Sequence, residues 1–305
     1  MLAKLIAAPF DDKDWLFEIK YDGYRVLADC DGQGNVELYS RNLLSFNQAY
    51  PAIVEELKKI EHPCLLDGEV VVEDKKGRSH FQLLQNLGQS NGSGILKYYV
   101  FDLLSLDGND ITGLALTKRK ELLKLLLKNY KLKNIFYSEH VMAKGNQLYK
   151  QAIKQRLEGI MAKNAESVYH PGKRSGDWLK VKITNEQEAV IAGITEPKGN
   201  RGYFGSLLLG VYKGKELHSI GNCGTGFNEE TLKELYNKFK PLFISKSPFA
   251  TGVKTADKVR WISPRLVCQV KFSEWTEGGN MRHPVFLGLR GDKKAREVKQ
   301  EKASV

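Results

Sequence analysis

This 305-residue chain has few of the features that staple, export or embed a protein. Its four cysteines, Cys30, Cys64, Cys223 and Cys268, lie far apart and form no Cys-x-x-Cys pair, which excludes a zinc knuckle or a disulfide framework as the source of stability. A reducing compartment fits this pattern. No stretch approaches about 18 uninterrupted apolar residues, so no membrane span is expected. The start, Met1 to Pro9, carries one lysine and too short an apolar run for a secretory signal. A cytoplasmic protein is therefore the expectation. Internal repeats and low-complexity tracts are also missing, and acidic side chains are in the minority, 36 against 47 basic. The net charge of +11 favours a polyanionic partner.

What remains is a folded chain with 42% hydrophobic residues and a length suited to about two domains. The charge is uneven: residues 1 to 183 hold 27 basic and 23 acidic side chains, whereas residues 184 to 305 hold 20 and 13. The first part reads as α+β. Strands are predicted at Trp15 to Ile19, Tyr24 to Ala28, Val36 to Tyr39, Glu69 to Val72, Tyr98 to Leu103 and Ile160 to Lys163. Helices are predicted after Pro51, around Phe81 to Leu87, from Thr117 through Leu127 with Thr117 as cap, and from Gln147 to Leu157. After Ile183 the texture changes to glycine-punctuated strands, Ala189 to Ile194, Ser206 to Tyr212, Glu216 to Gly221 and Leu266 to Phe272, around one helix, Glu229 to Lys240. About five strands and a helix suit a small barrel of the OB type. The expected domains are 1–184 and 185–305, with a loose charged tail from Lys293 to Val305.

The chemistry gathers first at Lys20-Tyr21-Asp22-Gly23-Tyr24-Arg25. A fixed lysine beside a turn can serve as a covalent nucleophile, and the arginine adds phosphate-binding charge. Asp-Gly is equally a hairpin signal, and it recurs at Asp31-Gly32, Asp67-Gly68 and Asp107-Gly108. Further along stand Ser40-Arg41-Asn42, Asp67-Gly68-Glu69, Val100-Phe101-Asp102, Glu158 through Lys163, Trp178-Leu179-Lys180-Val181-Lys182 and Arg290-Gly291-Asp292-Lys293. Singly, each has a plain structural reading: Phe101 as core, Lys180 and Lys182 as the solvated face of a strand, Glu69 and Glu158 as surface carboxylates.

In this order, the set resembles the covalent nucleotidyltransferase superfamily of ATP-dependent DNA ligases, RNA ligases and mRNA-capping enzymes, over essentially the whole chain. The stretches Tyr169 to Ser175, Gly202 to Gly210, Gly224 to Phe227 and Arg282-His283-Pro284 narrow the resemblance to the ligase modules of bacterial ligase D. The resemblance implies a nucleotidyltransferase domain followed by an OB-fold domain. It implies sealing of nicks or breaks with a 5′-phosphate and a 3′-hydroxyl in duplex DNA, through lysyl-AMP on Lys20 and a DNA-adenylate. Phe101 then stacks on adenine, Glu18 contacts the base edge, and Glu69 holds ribose or metal. Arg25 and Arg41 grip ribose or the nick's 5′-phosphate, Lys180 and Lys182 contact the α-phosphate, and Lys163 joins the nucleotide-binding set. Glu158 is the metal carboxylate, Asp22 assists metal binding or positions the nick, and Arg290, Asp292 and Lys293 orient the departing pyrophosphate. ATP as AMP donor with Mg²⁺ or Mn²⁺ is implied as cofactor, and the protein is expected to be a monomer; recruitment by a Ku-type end-binding protein stays open. Because only a neutral amine attacks phosphorus, Lys180, Lys182, Arg25 and a metal ion are expected to lower the pKa of Lys20. The rivals are an RNA ligase or GTP-using capping enzyme, and a non-catalytic OB-type nucleic-acid-binding protein.

Overall fold

The computed structural model describes residues 1–79, 81–85, 87, 94–197, 199, 201–253 and 257–301. They form two compact units, Met1–Ile183 and Thr184–Glu301.

The first unit contains two sheets. One has five strands in the order Lys4–Leu5, Trp178–Lys182, Gly159–Asn164, Trp15–Lys20, His140–Met142. Its sequences alternate, and the alternation sorts the side chains. Phe17, Ile160, Ala162 and Val181 point to a core shared with Ala152, Leu148 and Leu157, on and just beyond the helix Gly145–Gln155. Residues one position along each strand point the other way. The second sheet runs Val36–Ser40, Tyr24–Cys30, Cys64–Glu73, Ile95–Leu106, Asn109–Asp110, and Ile135–Tyr137 lies parallel to Ile95–Leu106.

The strands Trp15–Lys20 and Tyr24–Cys30 follow one another in sequence but belong to different sheets. Asp22-Gly23 is therefore a sheet-to-sheet crossover and not the hairpin turn its sequence suggests. The glycine is required by close approach: a Cβ at Gly23 would lie 2.1 Å from the Val70 carbonyl oxygen. Asp107-Gly108 is a true hairpin, with φ of 50° and 77° between Ile95–Leu106 and Asn109–Asp110. Asp31-Gly32 turns between Tyr24–Cys30 and Val36–Ser40, whereas Asp67-Gly68 is buried in mid-strand.

The helices are Pro51–Leu57, Phe81–Gln85, Leu116–Lys128 and Gly145–Gln155. Thr117 is not a cap. The helix begins one residue earlier because Leu116 is fully buried; Ala115 occupies the cap position without a side-chain bond, and the Thr117 amide donates to the Ala165 carbonyl at 3.0 Å. Of the helix expected to run to Leu87, Asn86 lies outside the described residues.

Among the described residues the second unit has an antiparallel sheet of seven strands, more than the five expected, and a separate antiparallel pair, Glu274–Trp275 with Met281–Arg282. Glu216–Cys223, Leu207–Lys213, Asn185–Thr195, Val259–Ile262 and Phe243–Ile244 follow in order, Val267–Phe272 also pairs with Asn185–Thr195, and Val285–Leu289 pairs with Val267–Phe272. Of the unforeseen strands, Phe243–Ile244 and Val259–Ile262 are short, and Val285–Leu289 carries no polar residue to mark its alternating burial in the sequence. The fold is of the OB type. The helix Glu229–Phe239 starts at Asn228, whose side chain accepts from the Thr231 amide at 2.7 Å, and packs Leu232, Leu235 and Phe239 into the core. The tail is docked through Glu301, contrary to expectation: Ala295 and Val298 are buried, the Tyr212 amide donates to the Val298 carbonyl at 2.8 Å, and the Gln187 side chain bonds the backbone of Lys299 and Glu301 at 3.0 Å. Two apolar residues outweigh the charge of their neighbours.

Gly159 sits where three strands meet, and a Cβ there would lie 2.1 Å from the Val181 carbonyl oxygen. Gly159→Ala is expected to destabilise the first unit by about 2 kcal/mol, read as a lower urea midpoint. An unchanged midpoint would contradict this steric account.

Candidate active site

The strand Gly159–Asn164 pairs with Trp15–Lys20 on one side and Trp178–Lys182 on the other. Its register puts Lys20, Gly159 and Lys182 in one row and Glu18, Met161 and Lys180 in the next. All project from the face opposite the apolar core. Above this face is a pocket whose lining includes Glu18, Lys20, Arg25, Glu69, Phe101 and Lys163.

Lys20 Nζ donates to Glu158 Oε2 at 2.6 Å. Burial by itself would lower the pKa of this lysine, but the charges of Glu158, Glu69 and Asp22 outweigh it and push the pKa above the ordinary lysine value. The expected depression by neighbouring cations is thus reversed: the carboxylates dominate and favour the ammonium form of Lys20. Asp22 is engaged elsewhere, too. Its Oδ2 accepts from the Phe81 amide at 2.9 Å, at the start of the helix Phe81–Gln85, and its own amide donates to Ser79 Oγ at 3.2 Å.

Arg25 faces Glu69 across the strands Tyr24–Cys30 and Cys64–Glu73. Its guanidinium grips Asp67 with two bonds, Nε to Oδ1 at 2.9 Å and Nη2 to Oδ2 at 2.6 Å, and Nη1 donates to the Met1 carbonyl. Tyr169 Oη donates to the same Asp67 Oδ2 at 2.9 Å. Burial would raise the Asp67 pKa, yet Arg25 holds it below the usual carboxylate value. Phe101 is only half-buried. Its ring meets Trp178 edge to face at 5.8 Å, with Lys163 Nζ 4.3 Å from its centroid. Asp102, the next residue, is fully buried in a two-bond pair with Arg119 at 2.8 and 2.9 Å, which anchors the strand carrying Phe101.

Glu18 is buried with Lys120 on Oε1 at 2.5 Å and Lys163 on Oε2 at 2.8 Å. Lys120 was not singled out in the sequence. Its signal was there: in the helix Leu116–Lys128 it falls on the apolar stripe with Leu116, Leu123 and Leu127, where a lysine needs a partner. Asp67 and Tyr169 carry a similar lesson, since their motifs were visible but their bond to Arg25 was not.

Two groups of candidates stand elsewhere. Arg41 is exposed in the turn after Val36–Ser40 and lines a neighbouring cavity with Arg25, Leu27 and Tyr169 instead of the Lys20 pocket. In the second unit, Arg290 holds Asp292 with two bonds of 2.8 and 2.7 Å, and Lys293 pairs with Glu188 at 2.9 Å. No group of three or more His, Cys, Asp or Glu side chains forms a protein-only metal cage among the described residues. Glu69 and Glu158, hard oxygen donors that both act on Lys20, fit an ion such as Mg²⁺ that takes one or two carboxylates and completes its shell with water and phosphate.

Residues 1–182 match the family described as "ATP dependent DNA ligase domain" and residues 200–293 the "ATP dependent DNA ligase C terminal region". The chain belongs to the ATP-dependent DNA ligase family. It is 36% identical over 307 residues to the multifunctional non-homologous end joining protein LigD of Pseudomonas aeruginosa, covering 99% of this chain and 36% of that one. Against the LigD of Mycobacterium tuberculosis it is 37% identical over 293 residues, covering 94% and 37%. The chain thus spans about a third of the length of these curated relatives, at 36% and 37%. A solved structure of mycobacterial DNA ligase D complexed with ATP and MES superposes with a TM-score of 0.70 at 34% identity, covering 98% of both chains. The ligase domain of M. tuberculosis LigD, at the same coverage and 34% identity, gives 0.52.

The Lys20–Glu158 pair makes the pH dependence specific. In nucleotide-free protein, modification of Lys20 by an amine-reactive reagent should rise with pH without levelling off below about pH 10.4, the ordinary lysine value. Glu158→Gln, which removes the closest negative charge, should shift the curve to lower pH. Site-resolved mass spectrometry measures both, and a wild-type plateau near neutral pH would refute the raised pKa.

Proposed function

We propose that this chain seals 5′-phosphate/3′-hydroxyl nicks in duplex DNA through three phosphoryl transfers at the Lys20 pocket. The observation that carries the reading is the row Lys20, Gly159, Lys182, with Glu158 hydrogen-bonded to Lys20 and the half-buried Phe101 ring in the same pocket.

In the first transfer the Lys20 amine, having lost its proton, donates its lone pair to the α-phosphorus of ATP. The bond to the bridging oxygen breaks, and pyrophosphate leaves with the electron pair. Glu158 is the nearest acceptor for the proton. Lys182 and Lys180 supply positive charge to the α-phosphate oxygens, where charge builds in the transition state. Phe101 offers a face to adenine, Glu18 an acceptor to the base edge, and Lys163 lies between them. Glu69 serves ribose or metal, and Arg25 and Arg41 serve ribose or the nick's 5′-phosphate, a planar fork suiting the latter. In the second transfer a 5′-phosphate oxygen attacks the AMP phosphorus and the P–N bond breaks, returning the amine of Lys20. In the third the 3′-hydroxyl attacks the 5′-phosphate and AMP departs.

Glu69 and Glu158 would hold Mg²⁺ or Mn²⁺, which offsets carboxylate and phosphate charge and thereby favours the neutral amine. Asp22, already tied to the Phe81 amide, keeps the crossover behind Lys20 in place. Arg290, Asp292 and Lys293 are assigned to the departing pyrophosphate. The excess of basic over acidic residues in 184–305, 20 against 13, supports sequence-independent contacts to DNA phosphates. The relatives' names support a role in end joining; a cytoplasmic location, a Ku-type protein as recruiter and a monomer as the working form belong to the proposal. Among the described residues no helix is long and apolar enough to cross a membrane.

Incubation with α-labelled ATP and a divalent metal should give an acid-labile covalent adduct that Lys20→Ala abolishes and a 5′-phosphorylated DNA nick discharges. No adduct with any of several divalent metals would overturn the enzymatic reading. An adduct that discharges only on RNA would favour the RNA-ligase alternative.

A further inference from the structure

Glu18 is 2% exposed, and its environment defines how it can meet a ligand. Lys120 Nζ donates to Oε1 at 2.5 Å, Lys163 Nζ to Oε2 at 2.8 Å and Ser138 Oγ to Oε2 at 3.4 Å. An ionised carboxylate has about four acceptor positions. Among the described residues two of them are used on Oε2 and one on Oε1, which leaves a single position, on Oε1.

Lys120 reaches Glu18 from behind. Lys163 is in the pocket wall and Lys120 is not. The ammonium of Lys120 spends its other donors on the Ser138 carbonyl at 3.1 Å and the Phe101 carbonyl at 3.4 Å, and lies 4.6 Å from the centre of the Tyr137 ring. It is thereby fixed to the strand that carries Phe101 as well as to Glu18. Charge balance makes this side chain unusual. Lys163 alone would neutralise Glu18; a second buried lysine adds a desolvated cation, on a stripe where leucine would satisfy packing alone.

We infer that Lys120 is a positioning residue for nucleobase selection. It holds Glu18 Oε1 so that the remaining acceptor position faces the pocket, where it takes a hydrogen bond from the exocyclic amine of a 6-aminopurine. A purine without that amine gains nothing from Lys120. The inference rests on the assignment of Glu18 to the base edge made above.

The test compares dissociation constants of the full chain for ATP and for purine riboside triphosphate, which lacks the 6-amino group, in wild type, Lys120→Met, Lys120→Arg and Glu18→Met. Lys120→Met should weaken ATP about tenfold, the scale of one hydrogen bond to a charged group, and leave the analogue unchanged within roughly twofold. Lys120→Arg should restore most of the preference. Equal weakening of both nucleotides, or none, overturns the inference, because a purely structural lysine would not move the ratio. If Lys120→Met does not fold, Lys120→Gln is read by the same ratio, and an unchanged preference there overturns it as well. Glu18→Met, which removes the acceptor, separates the two ideas. A preserved ratio in Glu18→Met sinks the assignment of Glu18 and this inference with it, whereas a collapsed ratio there with an intact one in Lys120→Met sinks the role of Lys120 alone.

Discussion

A β-strand paired on both sides can bring together residues that are remote in sequence, provided that its register cannot slip. Gly159–Asn164 does this in the first unit. It holds Lys20 on one flank and Lys182 on the other, and Glu158, just before it, meets a lysine 138 positions away. The register is held from the reverse side: a slip of one residue would turn Phe17, Ile160, Ala162 and Val181 out of their core and drive the charged row into it. The apolar face thus enforces the geometry of the polar one. Gly159 permits the close approach in between, where any side chain would strike the Val181 carbonyl.

Gathering this much charge in one place has an electrostatic cost, and the fold meets it by pairing. Arg25 with Asp67, Arg119 with Asp102 and Glu18 with two lysines are all buried or nearly so. Such pairs are weak contributors to net stability but rigid ones, since removing one partner strands the other. Their rigidity is useful around a candidate nucleotide pocket, where donors should be set before a ligand arrives. Lys20 differs in kind. Its partner Glu158 is also a candidate metal ligand, so the ion pair that keeps the lysine protonated in the free protein is the one a bound cation would compete with. Resting stability and reactivity are separated by one carboxylate.

The alternating strands from Trp15, Tyr24, Val36 and Ile160 were legible because half-buried sheets impose a period of two, and the helix at Glu229 was legible too. Other elements obeyed forces that no local window contains. Thr117 is a good cap by chemistry, yet the burial of Leu116 sets the helix start. The tail from Lys293 reads as solvated, yet Ala295 and Val298 pin it to the second unit. The four Asp-Gly steps are the plainest case. The same dipeptide makes a left-handed hairpin at Asp107-Gly108, lies in mid-strand at Asp67-Gly68 and crosses between sheets at Asp22-Gly23.

The chain alone determined which residues are the candidates for the chemistry, because a lysine beside a turn, an aromatic ring, carboxylates and paired lysines stand as ordered motifs whose identities survive without any knowledge of their neighbours. Tertiary structure decided what state those residues are in. Whether Lys20 is neutral or charged depends on Glu158 and Glu69, and whether Glu18 is free to turn depends on a lysine 102 positions away. Electrostatic free energy depends on distance through space, with desolvation as its counterweight. Neither quantity exists until the strands have paired.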